Sequence, residues 1–225
     1  MPVELKALVD REEALSFLGH AGQSLGADLG ARLGRAAALC EGELAPRGVY
    51  RVLPASEALA LLPGRDIAAH LEGCTEVALM AVTLGVESEM VLRREAALSA
   101  TDGLLVDACA SSLVEQAAGA LNEAIEAEAA ARGLDATWRF SPGYGDLPLS
   151  CQPAFLAACG ADRALGLTAT EAYLLVPSKS ITAVVGLRPR AGISAPAAKS
   201  PCFTCPICDT CALRAQGRTC HGNPA

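Results

Sequence analysis

Aromatic residues are scarce in this 225-residue chain: one Trp, three Tyr and four Phe make up 4% of it. Any core must therefore be built from aliphatic side chains and alanine, and the 45 alanines favour helix over strand. Histidine is rarer still. His20, His70 and His221 lie near neither a Gly-x-Ser-x-Gly turn nor a His-Glu-x-x-His helix, which excludes the usual serine hydrolases and zinc proteases. The chain also lacks Gly-x-Gly-x-x-Gly and Walker loops, so the common nucleotide folds are not indicated. Basic clusters are missing: 18 Lys and Arg against 25 Asp and Glu give a net charge of −7, which argues against a nucleic-acid partner. The longest apolar run, 77–84, is broken by Thr83 and falls short of the roughly 20 residues a bilayer requires, so no membrane span is expected. The N-terminus has neither the basic flank nor the apolar stretch of a secretory signal, and a cytoplasmic location is expected. With 52% hydrophobic residues, the chain is not of disordered composition.

Cysteine is abundant, with ten residues. In a reducing compartment such a number points to metal rather than disulfides. Cys40, Cys74, Cys109, Cys151 and Cys159 are scattered singly, as small buried hydrophobes usually are. The other five crowd into the last 24 residues: Cys202, Cys205, Cys208 and Cys211 at unbroken three-residue spacing, then Cys220 beside His221. Four thiolates so close repel one another unless a cation neutralises them, which makes the tail a candidate metal centre. Structural zinc usually takes two separated Cys-x-x-Cys knuckles, whereas a close run of Cys-x-x-Cys resembles the loop around a four-iron cluster. The tail lacks the three-residue gap and the following proline of bacterial ferredoxins. An iron-sulfur cluster, zinc and an unmetallated redox tail all stay open.

Hydrophobic periodicity predicts helices over 11–18, around Leu25, Leu29, Leu33 and Ala36, and over 64–71, 86–98, 102–132 and 153–159. The third from last of these, 86–98, follows a Leu84-Gly85 break, and Gly133 caps the long helix. Strands are predicted over 48–53, 75–83, 137–141, 170–176 and 180–187, the last two as an antiparallel pair. Helices and strands mix without a regular repeat, so the expected fold class is α+β, mixed helices around a largely antiparallel sheet. Residues 188–201 read as a linker. The division expected is a domain over 1–190 and a linker with a cysteine-rich metal-binding tail over 191–225.

One turn stands out. In Arg139-Phe140-Ser141-Pro142-Gly143-Tyr144-Gly145-Asp146 two glycines permit close backbone approach, Arg139 can fork onto a carboxylate and Tyr144 offers a π face to a cation. A ligand carrying both a carboxylate and a fixed positive charge suits that set, and S-adenosylmethionine is one. For a lone Pro-Gly pair a plain turn is the ordinary reading.

This segment through Gln152, with Val176-Pro177-Ser178-Lys179-Ser180-Ile181-Thr182-Ala183-Val184-Val185-Gly186 and, more weakly, Ala81-Val82-Thr83-Leu84-Gly85 and the long helix after Asp107, resembles the reactivation domain of cobalamin-dependent methionine synthase in a free-standing form. The resemblance covers roughly 10–190. It implies S-adenosylmethionine binding by Arg139 through the ligand carboxylate, by the backbone of Ser141 and Gly143, and by Tyr144. Fused domains of the family typically have alanine where Ser141 stands, a change that a backbone contact survives. A family glutamate near the ligand amino group has Glu115 as its nearest equivalent, in a region that departs from the pattern; a solvated helix glutamate is the alternative. No cobalamin-binding module precedes the domain in this sequence, so the corrinoid is expected on a separate methionine synthase or corrinoid protein, with a reductant protein as a further possible partner. The implied function is assistance in reductive methylation of that cobalamin. A non-catalytic sensing or docking module and an iron-sulfur electron carrier are the rivals.

Overall fold

A run apolar at nearly every position, as over 76–83, needs protein on both of its faces, and the fold supplies it. The computed structural model describes residues 2–20 and 22–190, so Cys202, Cys205, Cys208, Cys211 and Cys220 lie outside the described residues. In chain order the elements are β1 (Val3–Glu4), α1 (Arg11–Phe17), α2 (Ala27–Glu43), β2 (Arg47–Pro54), α3 (Ala55–Leu61), α4 (Arg65–His70), β3 (Glu76–Thr83), α5 (Val86–Leu98), α6 (Ala100–Ala131), β4 (Leu134–Ala136), α7 (Gln152–Cys159), α8 (Ala161–Leu165), β5 (Thr168–Ala169), β6 (Leu175–Val176) and β7 (Ser180–Pro189). Five strands form an antiparallel sheet in the order β1-β2-β3-β7-β4, with β5 and β6 a separate ribbon. The class is α+β.

Side chains of a strand alternate between faces. In β3, Ala78, Met80 and Val82 enter a core made with α1, α2, α5 and α6, while Val77, Leu79 and Ala81 enter a second core made with α3, α4, α7 and α8. Both faces are thus covered although the sheet is antiparallel, and the polar half of the usual alternation is missing for that reason. α6 is long and apolar enough, by length and composition, to cross a bilayer, but 61% of its most apolar window is buried inside the fold. Its Leu105, Cys109, Leu113, Ala117, Leu121 and Ile125 face the first core, the stripe expected from periodicity. The helix starts at Ser99, whose hydroxyl accepts from Asp102 N (3.2 Å), and Arg32 of α2 ties down both residues, at 3.0 Å and 2.8 Å.

Two expected strands are corrected. Residues 137–141 do not form one: the strand is β4, at 134–136, and beyond it the chain meets β7 only through the bridge of Phe140 to Val184. Thr137 is the cause, because its hydroxyl accepts from Gly186 N (2.9 Å) in place of a regular ladder bond, and the chain bends away. Residues 170–176 likewise turn. The Thr170 hydroxyl accepts from Leu174 N (3.1 Å), Tyr173 sits at φ 63°, and only Leu175–Val176 are strand, paired with β5 and not with β7. The short α3 and α8 were not anticipated, and β7 continues to Pro189, so the expected linker begins later than 188.

Candidate ligand site

Because Phe140 and Val184 exchange backbone bonds of 2.9 and 2.8 Å, the side chains on either side of Phe140 point away from the core it fills. Phe140 enters the second core, and Arg139 turns to α6. There its Nη2 lies 3.2 Å from Glu115 Oε2, with the Arg139 side chain 10% exposed and that of Glu115 34% exposed. The guanidinium is thus nearly buried and the carboxylate half-buried. Burial pushes the Glu115 carboxyl above the usual carboxylate range; Arg139 draws it back down, and nearby Glu13 adds to the upward push. Glu13 comes from α1, whose first turn is capped by Asp10. Its Oε2 accepts from Ser112 Oγ (2.9 Å) and Gln116 Nε2 (3.0 Å) on α6. One guanidinium and two carboxylates from three separate segments thus meet along one face of α6.

Past Arg139 the chain closes a compact turn. Tyr144 N donates to Ser141 O (3.0 Å), Gly143 N to Leu147 O (2.8 Å) and Leu147 N to Tyr144 O (3.0 Å). The Tyr144 ring is 41% exposed and sits edge-on to Phe140, centroids 6.0 Å apart. Asp146 reaches across to the start of α4, where its two carboxylate oxygens accept from Arg65 N (2.7 Å) and Asp66 N (2.9 Å). Those donors hold its carboxyl below the usual range. Asp66 answers by accepting from Asp146 N (3.1 Å). Gly145, at φ 51°, is glycine because a Cβ there would collide with the Asp66 carboxylate. At the other end of α4, His70 Nε2 is 2.9 Å from Trp138 O, and its ring packs against Trp138 and Phe140 at 4.3 and 5.2 Å.

Of the residues singled out from sequence, Arg139 and Glu115 are joined directly, and Ser141, Gly143 and Tyr144 share the adjoining turn. Gly145 makes room for the Asp66 carboxylate, a role not expected from the sequence. Glu13, Ser112, Gln116, Asp66 and His70 were missed. Only Glu13 left a trace in the sequence, in the Asp10-x-x-Glu13 spacing that marks a helix start. A groove of about 860 Å³ between residues 5–8, the end of α2 and α6 includes Gln116 but neither Arg139 nor Tyr144. Of the scattered cysteines, Cys40, Cys109, Cys151 and Cys159 are buried, as expected of small hydrophobes, whereas Cys74 is only half-buried; burial raises each of the four buried thiols, Cys40 to about 12. Among the described residues no group of three or more His, Cys, Asp or Glu is placed to hold a metal ion.

No protein-family model matches this chain, and no curated protein does. Among solved structures it is similar to the MetH reactivation domain bound to AdoHcy, with a TM-score of 0.63 and 17% identity over 98% of this chain and 86% of that one. The two share a fold. An enone reductase of gut-bacterial fatty acid saturation, CLA-ER, aligns at a TM-score of 0.38 and 13% identity over 88% of this chain and 97% of its own, too low to bear on the argument.

Proposed function

We propose that residues 1–190 bind S-adenosylmethionine and assist the reductive methylation of a cobalamin held by a separate methionine synthase or corrinoid protein. One observation carries the reading: a guanidinium and a carboxylate 3.2 Å apart, the first nearly buried and the second half-buried, on the fold seen in a MetH domain bound to AdoHcy. An α-amino acid group presents the complementary pair. Its carboxylate takes the Arg139 fork, and its ammonium replaces that cation beside Glu115 and restores the charge partner that burial demands. Tyr144 offers its ring face to the sulfonium. The Ser141 carbonyl and the Gly143 N–H are engaged inside the turn, so backbone contact with ligand falls to the Ser141 N–H and the Gly143 carbonyl.

The chemistry asks for positioning and nothing else. One electron takes substrate cobalt(II) to cobalt(I); its electron pair attacks the methyl carbon, the Co–C bond forms, the S–C bond breaks, and the pair stays on sulfur as S-adenosylhomocysteine. No proton moves, so the site needs no base. A docking module that senses the ligand uses the same pocket, and turnover separates the two. Given the corrinoid partner, a reductant and S-adenosylmethionine, the protein should convert the cobalt(II) spectrum to that of methylcobalt; binding without conversion leaves the docking reading.

The tail is read as a metal centre held by four of Cys202, Cys205, Cys208, Cys211 and Cys220. The electron step is uphill, so an iron-sulfur cluster there would serve as an on-board donor, whereas zinc would only fold the tail. Visible absorption of protein purified without oxygen distinguishes them, since zinc is colourless.

A further inference from the structure

We propose that α4 is a splint for the ligand turn, with His70 as its positioning residue; this rests on the S-adenosylmethionine reading above. The segment carrying Arg139 and Tyr144 is held to α4 at both ends. At residue 146 the hold is the reciprocal clasp of Asp66 and Asp146, at 2.9 and 3.1 Å, with a third bond of 2.7 Å from Arg65 N to the Asp146 carboxylate. At residue 138 it is His70, whose Nε2 lies 2.9 Å from the Trp138 carbonyl. A carbonyl only accepts, so Nε2 carries the proton. That carbonyl belongs to the peptide plane from which Arg139 departs, so the bond helps set where the Arg139 side chain leaves the backbone, while Glu115 orients its guanidinium.

The hold is specific in shape. Thr137 Oγ1, 2.9 Å from the same Nε2, also accepts from Gly186 N and so links the splint to β7. Gly64, at φ 152°, leaves room for Asp146, because a Cβ there would stand 2.6 Å from Asp146 Oδ1. A six-residue helix spans about 9 Å at 1.5 Å per residue, a rigid spacer that the intervening chain cannot supply for itself. Between the two holds Phe140 is tied to β7 by its backbone pair with Val184, and beyond it the turn closes through bonds among Ser141, Gly143, Tyr144 and Leu147. Phe140 and Glu115 hold the Arg139 end, so without α4 it is the far arm of the turn that would shift, moving the Tyr144 ring relative to the Arg139 fork and weakening binding that depends on both.

The test uses the full chain, S-adenosylhomocysteine as titrant and Trp138, the sole tryptophan, as an optical reporter. His70→Phe keeps a ring against Trp138 and removes the donor; His70→Gln keeps a donor. Asp146→Ala opens the other end at an exposed position. The expected result is an affinity loss of about tenfold for His70→Phe and for Asp146→Ala, with thermal midpoints near wild type, and recovery to within about threefold in His70→Gln. Ligand-induced change in Trp138 emission should shrink in the same order. Should His70→Phe not fold, Asp146→Ala decides. Wild-type affinity in both variants while Arg139→Ala fails to bind overturns the splint alone. A wild-type protein that binds nothing overturns the splint and the reading beneath it together.

Discussion

At the scale of single residues, the proposed ligand capture depends on charges that burial makes consequential. Arg139 is 9% exposed and touches Glu115, whereas Tyr144 keeps 41% of its surface. A charge-assisted bond to a carboxylate is worth about 1.5 to 3 kcal/mol, and Tyr144→Phe removes a hydroxyl while keeping the ring face. Arg139→Ala should therefore weaken S-adenosylmethionine binding by about 10- to 100-fold and Tyr144→Phe by no more than about threefold. The reverse order in calorimetry would make the tyrosine hydroxyl the anchor. His70 gives a second prediction. Burial lowers its pKa from 6.5 to about 4, so below pH 6.5 the unfolded chain takes up a proton that the folded one refuses. Its contribution is complete above pH 6.5 and is lost as pH falls to 4, by about 3 kcal/mol at 1.36 kcal/mol per unit. Urea midpoints should drop over that window in wild type, and that part of the drop should vanish in His70→Gln; an unchanged slope would mean the ring is not held neutral.

At the scale of elements, close approach of backbones decides outcomes that propensity alone gets wrong. Gly103 lies inside α6, where glycine to alanine ordinarily stabilises by up to about 1 kcal/mol. Here an added Cβ would stand 2.7 Å from the Ala96 Cα on α5. Gly103→Ala should lower the thermal midpoint rather than raise it, since backbone must shift to admit the methyl; a rise would show that the α5–α6 hairpin can spread freely. The same contrast explains what was readable in the chain. α5 matches its expected 86–98 and α6 departs from 102–132 by a residue or two, because long amphipathic periodicity reports a buried face directly. Strands over 137–141 and 170–176 failed because Thr137 and Thr170 spend their hydroxyls on backbone amides, a local competition that alternation does not encode. Arg139, Ser141, Gly143 and Tyr144 were legible as a contiguous turn and Glu115 through the family resemblance. Glu13 and His70 were not, because their partners lie 99 or more residues away for Glu13 and 68 for His70.

At the scale of the whole molecule, two cores on either face of one sheet and the Arg139 site lie within residues 2–190, and the cysteine run lies beyond them. Ligand binding and electron delivery should accordingly separate. Cys205→Ser with Cys208→Ser should leave S-adenosylmethionine affinity unchanged and abolish cobalt methylation driven by a physiological reductant, while methylation with a chemical reductant persists; normal methylation under both conditions would make the tail structural. The proposed reaction begins with capture of S-adenosylmethionine between Arg139 and Glu115. The most direct measurement is isothermal titration of the full chain with S-adenosylmethionine, with Arg139→Ala alongside. Saturable one-site binding to the wild type, weakened at least about tenfold in the variant, is the expected result. No heat of binding at millimolar ligand, or equal binding by both proteins, would contradict it.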